Sequence, residues 1–136
     1  MIDGPRSWRF WVPGPLPGLN EIIAAAKGSG GKGLAYSRMK EQWTGTIYFL
    51  ARSARIPRLS RVRIILDWVH ANKRHDPDNV EAGKKFVWDG LKGPKAQCKS
   101  GLTVLANDGW EQNAGTEHHH EVGPKPGVWV TVTESA

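Results

Sequence analysis

The chain has 136 residues, of which 39% are apolar and 24% charged, so it suits one packed domain and excludes wholesale disorder. The lone Cys98 excludes a disulfide framework, no apolar run approaches the roughly 20 residues that cross a bilayer, and the stretch MIDGPRSWRF lacks the apolar centre of a signal peptide; a cytoplasmic protein without a membrane partner is expected. The 19 Lys and Arg against 13 Asp and Glu leave a formal charge of +6, which favours an anionic partner, nucleic acid first.

Ser7 to Val12 is predicted as a short strand in which Trp8, Phe10 and Val12 alternate with Arg9 and Trp11. The run Pro13-Gly14-Pro15-Leu16-Pro17-Gly18 breaks regular structure. Lys27 to Gly33 is rich in glycine. A phosphate-cradling loop needs Gly-Lys followed by Ser or Thr, but Lys32 is followed by Gly33, so a flexible surface loop is expected. Ser37 to Arg55 is predicted helical from the stripe Met39, Trp43, Ile47, Leu50 and Ala54, with Ser37 as N-cap and Pro57 beyond its end. Leu59 to His70 is predicted as a central strand, because Val62, Ile64, Leu66, Trp68 and His70 share one face while Ile65 and Val69 make the other partly apolar. A second helix is predicted from Asp78-Asn79 to Leu91, then a connection from Lys92 to Gly101 and a short apolar segment from Leu102 to Ala106. Two last strands, Glu117 to Val122 and Val128 to Thr133, are joined by Gly123-Pro124-Lys125-Pro126-Gly127, a hairpin-type link. The order β-α-β-α-β-β predicts a single α+β domain over residues 1–136: two layers, with helices packed on one mixed sheet.

The densest polar cluster is Lys73-Arg74-His75-Asp76-Pro77-Asp78-Asn79, between the central strand and the second helix. Asp76 and Asp78 are two apart in a segment that Pro77 holds extended, so their carboxylates can point the same way. Two such acids repel unless a cation lies between them, and an all-oxygen site prefers Mg²⁺ or Mn²⁺. The plain alternative is a helix start, with Asp78 or Asn79 as cap and Asp76 in a turn. On a continuous helix, Asp78, Glu81, Ala82, Lys85 and Asp89 share one face opposite Val80, Val87 and Leu91. Lys85 and Asp89 then form an i,i+4 pair, either a surface ion pair or an ammonium positioned beside a metal site. Asp108 lies in Asn107-Asp108-Gly109, which is also ordinary turn chemistry.

Together, Asp76-Pro77-Asp78-Asn79, Lys85-Phe86-Val87-Trp88-Asp89-Gly90-Leu91 and Asn107-Asp108-Gly109-Trp110 resemble the signature of the RusA-like Holliday junction resolvases, common in phages and prophages. The Pro-rich turn ending at Leu19-Asn20 and the closing Val128 to Glu134 are also similar to that family, so the likeness covers most of the chain. It implies a homodimer that resolves four-way junction DNA by two symmetric nicks, with Mg²⁺ (Mn²⁺ as substitute) and no organic cofactor. It implies Asp76, Asp78 and Asp108 as metal ligands and Lys85 as the basic residue beside them. Lys73, Arg74, His75, Lys84 and Asn20 are the expected DNA-binding residues. The chain departs from the family at His75, where relatives often have Arg, and at Asn107, the first position of an acidic pair. Lys85 is preferred to Lys84 because it shares the face of Asp78. The loop Lys92 to Gly101 is read as an insertion or a DNA contact.

His118 and His120 share one strand face and have the residue type of a Zn²⁺ or Ni²⁺ site, but with no Cys nearby in sequence, structural or solvent roles are expected. Cys98 is expected to be an ordinary exposed thiol. The seven Trp are assigned to the core and a dimer contact, with Trp11 or Trp110 as the residues that would stack on an unpaired base. A non-catalytic DNA-binding module and a flap or fork nuclease are the alternatives.

Overall fold

The computed structural model describes residues 5–28 and 33–135. Its elements are β1 (Ser7–Pro13), α1 (Leu19–Lys27), α2 (Leu34–Ser53), β2 (Val62–His70), α3 (Pro77–Glu81), α4 (Lys84–Lys92), α5 (Lys95–Lys99), β3 (Asn113–Val122) and β4 (Gly127–Glu134). The strands form one mixed sheet in the order β1-β4-β2-β3, so this is the expected α+β domain with β2 internal. β4 runs antiparallel to both β1 and β2, while β3 runs parallel to β2.

The alternation in the sequence dictates which face is packed. Phe10 and Val12 of β1, Val62, Ile64, Leu66 and Trp68 of β2, and Val128, Val130 and Val132 of β4 are buried on one face. Against them lie Ile47 and Ala51 of α2 and Phe86, Val87, Trp88 and Leu91 of α4. The helices α2 and α4 approach closely because Gly90 has no side chain: a Cβ there would lie 2.4 Å from Cγ2 of Ile47. Trp88 adds a polar tie, its Nε1 donating to Oγ1 of Thr116 on β3 at 3.0 Å. On the other face Trp11 and Trp129 pack with ring centroids 5.2 Å apart, and the Arg9 guanidinium lies 4.3 Å over Trp129.

Five expectations are corrected. The link Gly123 to Gly127 is not a hairpin, because β2 lies between β3 and β4; the link crosses the end of β2, where the Gly123 N–H donates to the His70 carbonyl at 2.9 Å. The helix α2 begins at Leu34 after Gly33, not at Ser37, and Gly33 has the left-handed φ of 65° that suits a residue without Cβ. A further helix, α1, follows the Pro-rich turn. The second predicted helix is two: it breaks at Ala82-Gly83, and a Cβ on Gly83 would meet Trp68 at 3.0 Å and Leu16 at 3.3 Å. Cys98 is half-buried rather than exposed, and its thiol faces the carbonyl of Ala106 at 3.3 Å. The expected loop Lys27 to Gly33 falls largely on residues 29–32, outside the described residues. Leu102 to Ala106 is not a strand, yet its backbone is pinned: Leu59 donates to the Val104 carbonyl at 2.7 Å and Leu105 to the Leu91 carbonyl at 3.0 Å. No helix among the described residues is long and apolar enough to cross a membrane.

Candidate active site

Asp76 takes the N-cap position of α3, with extended backbone (φ −67°, ψ 138°), and Pro77 opens the helix, where its missing N–H costs nothing. The helix-start alternative, with Asp78 or Asn79 as cap and Asp76 in a turn, is corrected in position: the cap falls on Asp76, whose side chain makes no capping hydrogen bond. Asp76 and Asp78 are both exposed, and among the described residues neither carboxylate has an ion-pair partner. Asn79 points back into the fold. Its Oδ1 accepts the backbone N–H of Asn20 at 2.9 Å, and Gly18 lies so close that a Cβ there would be 2.5 Å from Asn79 Nδ2. The Pro-rich turn and the Asp-Pro-Asp-Asn segment, nearly 60 residues apart in sequence, are thus fastened together.

The second half of the cluster sits on α4. The break at Ala82-Gly83 removes the continuous ridge that placed Lys85 on the face of Asp78. Lys85 turns instead toward Tyr36 of α2, its Nζ 5.9 Å from the ring centroid. Interaction with the Tyr36 side chain holds the Lys85 pKa above its ordinary value; burial opposes this, and Asp89 and Asp108 add to it. Asp89 is not half of a surface ion pair: its side chain is 17% exposed, and the cation it pairs with is Lys40, at 3.9 Å. Its Oδ2 is buried without a hydrogen-bond partner. Burial pushes the Asp89 carboxyl up; Lys40 and Lys85 pull it down, and the adjacent Asp108 carboxylate pushes it up again. Asp108, from the loop before β3, therefore joins Lys85 and Asp89.

The expected ligand set is only partly assembled. Asp108 lies with Lys85, but no hydrogen bond or ion pair among the described residues links Asp76 or Asp78 to either. Among the described residues no three His, Cys, Asp or Glu side chains are arranged to hold a metal ion. Of the expected DNA contacts, Lys73, Arg74, His75, Lys84 and Asn20 are all exposed. Lys84 and Lys85 diverge, Lys84 acting on His118 of β3 and Lys85 on Asp108. Trp110 is 95% exposed, whereas Trp11 is packed on Trp129.

The histidines of β3 have partners. Trp68 Nε1 donates to His118 Nδ1 at 2.9 Å, and His120 meets both His70, at 2.9 Å, and Glu81, at 2.6 Å. Burial pushes the pKa of His118 down despite Glu81, with Lys84, His120 and His119 helping. Burial also lowers that of His70, followed by His120 and His75. For both groups the unfolded chain takes up protons more readily than the folded one. Their contribution to stability is therefore present above about pH 6.5 and is lost as pH falls below it. Urea unfolding between pH 5 and 7.5 should show stability falling toward acid, less steeply in His118→Asn; a flat wild-type profile would contradict these shifts.

The arrangement missed in the sequence is the chain from Glu81 through His120 to His70. His70 ends an apolar strand face, and His120 occupies the same face of the neighbouring strand, but only the parallel register of β2 and β3 joins them. Compared with the models of known protein families and with curated protein sequences, the chain matches none.

Proposed function

We propose that the protein is a Mg²⁺-dependent endonuclease that resolves four-way DNA junctions by paired symmetric nicks, acting as a cytoplasmic homodimer. The observation that supports this is that the charge of Asp108 acts on both Lys85 and Asp89, three charged residues of the resolvase-like pattern drawn from a helix and a distant loop. The contact of Asn20 with Asn79 unites two further pieces of that pattern.

The donors fit a hard divalent cation in kind. Asp76 and Asp78 present carboxylates with no ion-pair partner among the described residues, and the buried Asp89 Oδ2 has an unused lone pair beside Asp108. Asp76, Asp78 and Asp108 are the residues that would hold the ion. When bound, Mg²⁺ supplies an activated water and neutralises charge on the phosphate. Lys85, protonated and next to Asp108, is suited to stabilise negative charge that develops on the phosphate oxygens. Lys73, Arg74 and Lys84 are exposed and carry positive charge that would attract the DNA backbone independently of sequence. Two-fold symmetry in a homodimer would present two equal sites to a substrate with its own local two-fold symmetry.

A DNA-binding module that does not cut is the alternative. Incubating the protein with a synthetic mobile four-way junction, in Mg²⁺ and then in EDTA, discriminates them. Cleavage in Mg²⁺ alone supports the nuclease. Tight binding without cleavage in Mg²⁺ or Mn²⁺ selects the module, and no affinity at low salt removes both. Flap and fork substrates run alongside identify the structure that is cut.

A further inference from the structure

One hydrogen-bonded chain lies outside the ligand set. Glu81 Oε2 of α3 meets His120 Nε2 of β3 at 2.6 Å, and His120 Nδ1 meets Nε2 of His70, the last residue of β2, at 2.9 Å. Three elements converge, and Glu81 is three residues beyond Asp78 in sequence.

The donors fix the protons. An ionised carboxylate only accepts, so His120 donates to it from Nε2. Neutral His120 then has its lone pair on Nδ1, and His70 must donate to that atom from Nε2. Neutral His70 is left with its own lone pair on Nδ1. Among the described residues nothing hydrogen-bonds this nitrogen. The His70 ring lines two cavities that border the loop of residues 72–79. One, of about 240 Å³, is walled by Leu16, Trp68 and Val80, with His75 and Asn79 at its edge. The other is lined by Asn72, Lys73, His75 and Pro77.

We infer that His70 is a general base of the cleavage reaction, held in its productive tautomer by the Glu81–His120 pair. The assignment rests on the nuclease reading. As the water oxygen bonds to phosphorus, its proton passes to His70 Nδ1. The bond from phosphorus to the deoxyribose oxygen breaks, and that oxygen leaves with the electron pair and takes a proton from solvent. The imidazolium then donates from Nε2 toward His120, and the Glu81 carboxylate balances its charge, the logic by which a carboxylate supports a catalytic histidine.

The surroundings suit a base at neutral pH. Burial and the nearby His120 and His75 hold His70 below the ordinary histidine pKa, so it stays neutral. The other charged groups around it are Lys73 and Glu121, which line one of the two cavities, Glu21, which lines the other, and Glu81, which reaches the ring through His120.

The test is the rate of cleavage of a labelled four-way junction in Mg²⁺ from pH 5 to 9, for wild type, His70→Ala and Glu81→Gln. His70→Ala should lose about 100-fold in rate, since a positioned base contributes about 10²–10⁴, and the acidic limb of its profile should vanish while junction affinity holds. Glu81→Gln should keep more activity and shift the limb to lower pH, because the imidazolium loses its counter-charge. A His70→Ala rate within threefold of wild type, or a slow variant with an unmoved acidic limb, overturns the role and leaves the nuclease standing. A wild type that cuts nothing overturns both. If His70→Ala fails to fold, Glu81→Gln decides: a shifted limb supports the role and an unmoved limb overturns it.

Discussion

Asp78→Asn should lower junction cleavage by at least about 100-fold without weakening junction binding. The substitution keeps shape and removes one negative charge. Asp78 is exposed on the first turn of α3 and its carboxylate forms no ion pair among the described residues, so stability should stay within about 0.5 kcal/mol of wild type. Removing a carboxylate from a surface that meets phosphates relieves repulsion, so affinity should hold or rise. Losing a ligand to a metal that contributes several kcal/mol to the transition state costs about 3 kcal/mol or more, and each 1.36 kcal/mol is about tenfold in rate. Affinity and rate thus move in opposite directions. Single-turnover cleavage beside gel-shift binding separates them, and a variant that cuts as fast as wild type would remove Asp78 from the chemistry.

Phe86→Ala should have the largest effect on stability. Phe86 is fully buried on α4, in the core between that helix and the sheet. Truncating such a ring costs about 3–5 kcal/mol, transfer and cavity together. Against a usual total of about 5–15 kcal/mol, the variant should be near the edge of folding at 37 °C. Urea denaturation at neutral pH measures it, and a loss under about 1 kcal/mol would show that Phe86 does not anchor α4. Because α4 carries Lys85 and Asp89, cleavage should fall with the folded fraction.

The strands were legible because burial on one face leaves a period of two in the sequence. Trp8, Phe10 and Val12, and Val62 through Trp68, are on the faces their alternation predicted. Strand pairing was not legible: β3 lies parallel to β2 through a crossover of three helices, and no local feature of Glu117 to Val122 distinguishes that from a hairpin with β4. The short helix α1 carries Leu19, Ile22, Ile23 and Ala26 at helical spacing, but it buries none of its residues fully and follows a Pro-rich run, so its stripe went unread. At the site, residue types were legible and distances were not. Asp76, Asp78, Lys85 and Asp108 could be named from their pattern, but the helix face joining Asp78 to Lys85 depended on continuity through Gly83, where Trp68 and Leu16 leave no room for a side chain. For Asp89, spacing left open a surface ion pair or a place beside a metal site, because its burial near Asp108 depends on a loop about 20 residues later.

The most direct test of the nuclease is a strand-by-strand map of the products from an end-labelled four-way junction in Mg²⁺. The account predicts nicks at equivalent positions on two opposing strands, absent in EDTA and in Asp78→Asn. An intact junction bound at low salt, or cuts that persist in EDTA, would contradict it.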